Sequence, residues 1–118
     1  MFDYVCCTGT PESILGFAEL FCPTLLVYEG RHYLASRFGT DAYVSWKEKG
    51  TNPKEIQRVM NHVHVSSLLQ QQEVSDALAN EVVRVLSTIW ALTLRDSVVI
   101  VQPIETAFED AAVTLYDP

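Results

Sequence analysis

The chain has 118 residues, 48% of them hydrophobic and 19% charged, with eight bases against fifteen acids for a formal charge of −7. This is one domain's worth of chain, able to bury about two-thirds of its unfolded surface without a disulfide or structural metal. The composition excludes a disordered chain, and the charge argues against a nucleic-acid binder, which needs cations to neutralise phosphates.

The acids are polarised. Residues 1–30 carry Asp3, Glu12, Glu19 and Glu29, and residues 96–118 carry Asp96, Glu105, Glu109, Asp110 and Asp117, with no base in either stretch. All eight bases lie between Arg31 and Arg95, with Lys47, Lys49, Lys54 and Arg58 close together. Cys6, Cys7 and Cys22 are odd in number and two are adjacent, which rules against a disulfide framework. Met1-Phe2-Asp3-Tyr4 places an acid where a secretory signal carries a base, and the longest uncharged stretch, Val59 to Gln72, is polar. The expectation is a cytoplasmic protein with no membrane span, its thiols reduced and packed as small apolar groups.

In chain order, Phe2 to Cys7 reads as a short strand, ended by Thr8-Gly9-Thr10-Pro11. Thr10 then caps a helix with Pro11 at its first position; Ile14, Leu15, Phe17, Ala18 and Phe21 form its apolar face, and Pro23 stops it. Leu25 to Tyr28 and Tyr33 to Ala35 flank a hairpin turn expected at Gly30-Arg31, pairing Glu29 with His32 and Tyr28 with Tyr33. Thr40 is expected to cap a short helix through Lys49, stopped by Gly50. Asn52-Pro53-Lys54-Glu55 marks another start, with Glu55 reaching back as in a capping box. This helix is expected to continue raggedly toward Leu69, although His62-Val63-His64-Val65 alternates like a strand.

The longest periodic pattern, Val74, Leu78, Val82, Val85, Ile89 and Leu92, widened by Val83, Leu86 and Trp90, predicts a central helix. Val98 to Val101 reads as a strand covered on both faces and ended by Pro103, and Ala112 to Tyr116 as the last strand. The order β-α-β-β-α-α-α-β-β predicts a single α+β domain over residues 1–118, a mostly antiparallel sheet of four to five strands against about four helices.

The five glycines fit neither dinucleotide nor phosphate loops, and no local signature of a hydrolase, a redox enzyme or a zinc peptidase occurs. Three constellations carry possible chemistry. His62 and His64 could share a metal ion if both lay on a strand, since alternate strand side chains point one way. Cys6 could hold a reactive thiol before a helix terminus. Glu29 and His32 could form an acid/base pair beside the turn.

The lack of catalytic motifs and the polarised acidity favour a small acidic non-catalytic interaction domain without cofactor. It would resemble an inhibitor or immunity protein in binding a basic protein, with Glu105, Glu109 and Asp110 in the contact face. Strands near both termini could merge the nine terminal acids into that face. The alternatives are a metal- or thiol-dependent enzyme centred on His62, His64 and Cys6, and a homodimeric accessory subunit using the Trp46 or Trp90 region.

Overall fold

A computed structural model describes residues 11–69 and 72–118. Five helices and two small antiparallel sheets, of two and three strands, make the described part an α+β fold. The expected strand at residues 2–7, with Cys6 and Cys7, and the expected Thr10 cap lie outside the described residues.

Helix α1, Pro11–Phe21, opens on a proline whose missing N–H would have had no intrahelical partner. Cys22 still donates to the Ala18 carbonyl at 2.9 Å, and Pro23 permits no further turn. The Cys22 thiol is exposed, contrary to the expectation that it packs as an apolar group.

Strands β1, Leu25–Tyr28, and β2, Arg31–Leu34, pair Tyr28 with Arg31, Val27 with His32 and Leu26 with Tyr33. The turn is therefore Glu29-Gly30, one residue earlier than expected, and Glu29 does not face His32. Both turn residues have positive φ, 48° and 80°, as a type I′ turn requires. Glycine meets that demand freely, and Glu29 is held there by its carboxylate, which accepts a bond from Tyr43 Oη and pairs with Lys47 Nζ at 3.6 Å.

Helix α2, Thr40–Glu48, is capped by the extended Gly39 with no side-chain bond, so Thr40 begins the helix and does not cap it. Its end is as expected, with Gly50 at φ 78°. Helix α3, Pro53–Met60, starts as the sequence indicates: Asn52 Oδ1 accepts from Lys54 N at 2.9 Å and Glu55 N at 3.2 Å. The Glu55 carboxylate turns forward to Arg58 at 3.5 Å, leaving the capping box half made.

The chain does not continue as helix toward Leu69. It breaks at Asn61, forms the two-residue strand β3, Val63–His64, and then the short helix α4, Val65–Leu69. Asn61 is fully buried and is the physical reason for the break. Its Oδ1 accepts from Leu34 N at 2.9 Å, and its Nδ2 donates to the His32 and Leu115 carbonyls at 3.1 and 3.2 Å, drawing the next residues against a strand.

Helix α5, Asp76–Thr93, is capped by Ser75 Oγ, which accepts from Leu78 N at 3.1 Å. It buries Ala79, Val83, Leu86 and Trp90. Of the row expected to face the core, Leu78, Val85 and Leu92 are turned outward, 52%, 47% and 58% exposed, while Val74 and Val82 are partly buried against it.

Strands β4, Ile100–Ile104, and β5, Ala112–Tyr116, complete the sheet in the order β3-β5-β4. The expectation that Val98 to Val101 is the covered strand fails, because Val98 and Ile100 are exposed and β4 is an edge. An edge is also where a strand can run through Pro103, whose missing N–H leaves no neighbour unpaired. The covered strand is β5, with Ala112, Val113, Thr114 and Leu115 all at 0% exposure.

Two apolar clusters result. The larger gathers Leu34, Val63, Val65, Val83, Leu86, Trp90, Val113 and Leu115 between α5 and the three-stranded sheet. The smaller is aromatic, with Tyr33, Tyr43 and Ile56 packed among Tyr28, Phe38, Trp46 and Met60. Neighbouring residues of β2, Tyr33 and Leu34, enter different clusters, as strand alternation dictates.

Candidate functional site

Between the two clusters lies a polar clasp built on α3. Ile56 and Gln57 are buried together on this helix, and Asn61, four residues after Gln57, lies on the same face one turn on. Gln57 Nε2 donates to the His32 carbonyl at 2.9 Å and to Asp117 Oδ2 at 2.7 Å, while its Oε1 accepts from Asp117 N and Arg31 at 3.1 and 3.2 Å. Asp117 Oδ2 also accepts from His32 N at 2.9 Å, and its Oδ1 lies 2.8 Å from His32 Nδ1.

Burial pushes the Asp117 carboxyl up, but the bonds from the His32 backbone and ring and from Gln57 outweigh it and hold the group below the usual carboxylate range. The His32–Asp117 geometry is that of a carboxylate orienting an imidazole. Among the described residues no hydroxyl or thiol is hydrogen-bonded to the ring, so the pair joins β2 to the end of β5.

Glu29 and His32, expected as an acid/base pair, are thus divided between different partners. Glu29 serves Tyr43 and Lys47 at the mouth of a cleft of about 490 Å³ lined also by Arg31, Asn52 and Ile56. The bond from Tyr43 lowers the Glu29 carboxyl, and the same bond, with burial, pushes the Tyr43 phenol up to about 12. Both groups stay in their ordinary neutral-pH forms.

His62 and His64 do come together, with ring centroids 5.5 Å apart. His62 Nδ1 donates to the Arg58 carbonyl. Burial lowers the proton affinity of His64, helped by His62 and Arg37 and opposed by Asp110. Among the described residues no group of three His, Cys, Asp or Glu side chains is placed to hold a metal ion. The basic stretch Lys47 to Arg58 is engaged with aromatic faces: Lys49 over Trp46, and Lys54 and Arg58 over Tyr116.

The β4–β5 connection carries Glu105, Glu109 and Asp110, all exposed. Its backbone is tied down. Phe108 N donates to Asp76 Oδ1 at 2.8 Å, and both Asp110 N and Ala111 N donate to the Ala107 carbonyl at 2.9 Å. Glu105 pairs with Arg84 at 3.1 Å, whereas Glu109 and Asp110 pair with no base among the described residues. Among the described residues the terminal acids do not all share one face. Asp117 is spent in the clasp at the far end of β5, roughly 17 Å of strand from the loop, and Glu29 is paired at the hairpin turn.

Sequence reasoning missed Gln57 and Asn61. The usable signal was two amides at i, i+4 on the face of α3 that also carries Ile56 and Met60, where the apolar period calls for hydrophobic residues. No protein-family model matches the chain, and neither a curated protein nor a solved structure matches it.

Proposed function

We propose that this protein is a small acidic, non-catalytic interaction domain that docks a basic protein partner, as inhibitors and immunity proteins do, through the loop of Glu105, Glu109 and Asp110. One observation carries the proposal: the loop backbone is fixed by hydrogen bonds to Asp76 and Ala107, while the Glu109 and Asp110 carboxylates pair with no base among the described residues. Preorganised, unpaired charge recognises a cation at little ordering cost, and complementary potential speeds encounter. Support also comes from the candidate acid/base residues, whose polar atoms are engaged in joining elements of the fold. The alternative of an enzyme around His62, His64 and Cys6 has the paired imidazoles in its favour and lacks a third metal ligand among the described residues.

The test is a Glu109→Lys, Asp110→Lys variant, with Glu105 kept because it pairs with Arg84. Association with a partner recovered from cell extract should slow about tenfold at low salt, high salt should do the same to the unaltered protein, and melting should hardly change. Unaltered association with the same salt dependence would overturn the proposal.

A further inference from the structure

The cleft bounded by the β1–β2 hairpin, α2 and the start of α3 holds donors that the fold does not use. Arg31 and Tyr33 are alternate residues of β2, so their side chains leave the same face of the strand, and both line this cleft of about 490 Å³. Tyr33 is 1% exposed, yet its hydroxyl makes no hydrogen bond among the described residues, where the one side-chain polar atom both sealed from solvent and unpartnered is Asn80 Oδ1. The Tyr33 hydroxyl is therefore open, and the cleft is where it opens. Burial pushes its phenol up, with Arg31 opposing the shift, so at neutral pH it is a protonated donor close to the guanidinium.

Arg31 Nη1 donates to Gln57 Oε1 at 3.2 Å, and no carboxylate pairs with the guanidinium among the described residues. Four of its five N–H donors are left. The neighbouring acids are engaged elsewhere, Asp117 with His32 and Gln57 and Glu29 with Tyr43 and Lys47. Asn52 Oδ1 already occupies the first N–H groups of α3, so recognition falls to the side chains. The charged residues lining the cleft are Arg31, Lys47 and Glu29, a balance of one positive charge in a chain of −7.

We infer that this cleft binds a small monocarboxylate, the carboxylate accepting from the Arg31 guanidinium and Tyr33 Oη while an apolar body lies against Tyr43 and Ile56. The planar guanidinium fork matches a carboxylate, and Tyr33 supplies a further donor from the same face of β2. One excess positive charge balances one negative charge, and Glu29 at the mouth repels a second, which disfavours a phosphate dianion. Tyr43 and Ile56 belong to the aromatic cluster and provide the apolar wall. The volume lies within the roughly 300 to 1,000 Å³ of small-molecule sites.

Isothermal titration calorimetry of the full chain with sodium benzoate tests the inference, with inorganic phosphate for comparison. Benzoate should bind at one site with a Kd of about 1 mM, and phosphate at least about tenfold more weakly. Tyr33→Phe should weaken benzoate about tenfold, the worth of one hydrogen bond to a charged group, and leave the thermal melt of the free protein unchanged. Arg31→Gln should abolish binding; because Arg31 also touches Gln57, Tyr33→Phe is the variant that separates binding from folding. No saturation by benzoate at about 20 mM would overturn the inference. So would phosphate binding as tightly as benzoate, or a lower melt for Tyr33→Phe, which would show the hydroxyl spent in the fold. Binding indifferent to Tyr33→Phe would overturn it too, by placing benzoate in the apolar groove between α1 and α5.

Discussion

Asn61 is the buried amide at the end of α3. It accepts from Leu34 N and donates to the carbonyls of His32 and Leu115, so one buried amide joins the β1–β2 hairpin, α3 and β5. Truncation to alanine leaves the Leu34 N–H and the Leu115 carbonyl without the Asn61 amide, while the His32 carbonyl keeps its bond from Gln57. Asn61→Ala should therefore lower unfolding stability by about 3 kcal/mol in urea titration, toward the upper end for single substitutions. Asn61→Leu, nearly isosteric but unable to bond, should do no better; a neutral result would show that water replaces the amide. Neither the break at Asn61 nor the clasp was legible in the sequence. An asparagine after a helical turn reads equally as an exposed cap, and only partners 27 to 54 residues away determine that it is buried.

At the scale of elements, legibility follows how local the deciding force is. Pro11, Asn52-Pro53 and Gly50 mark their helix ends through backbone sterics and bonds within four residues, and those ends lie where the sequence puts them or within a residue. The covered strand was misassigned because apolar content alone cannot separate a core strand from an edge. Val98 to Val101 is the more hydrophobic run, yet Ala112 to Tyr116, with its central threonine, occupies the middle of the sheet. Thr114 is tolerated there because its hydroxyl donates to the Arg58 carbonyl at 2.7 Å. The outward row of α5 was misread for the same reason, as periodicity reports an apolar face without naming what covers it. Paired substitutions separate the two strands: Val113→Asp buries an unpaired carboxylate and should cost on the order of 5 kcal/mol, whereas Ile100→Asp, 41% exposed on the edge, should cost about 1 kcal/mol. Thermal melts in which Ile100→Asp is the more damaging change would reverse the assignment of centre and edge.

For the whole molecule, the clasp joins the aromatic cluster to the larger core, and its protonation couples that junction to pH. The folded Asp117 carboxyl titrates below its unfolded value, so its contribution is complete above about pH 4 and is lost as pH falls through the folded value. His64 acts higher. Its proton affinity is lowered in the fold, so the unfolded chain takes up its proton first, and stability declines as pH drops below about 6.5 until the folded ring also titrates. Relief of self-repulsion in a chain of −7 works the other way on acidification, but it is nearly the same in the parent protein and in variants that change one titrating group. The difference between their melting curves therefore isolates each group. His64→Gln should flatten the melting temperature between pH 7 and 5 and leave the decline below pH 4 intact. Asp117→Asn, which keeps shape and loses the titration, should lower stability at neutral pH and narrow its gap to the parent as pH falls from 4 to 2. Parallel curves for parent and Asp117→Asn across that range would mean that the carboxylate's charge contributes nothing to the junction, and that the bonds to His32 and Gln57 hold equally well through a neutral side chain.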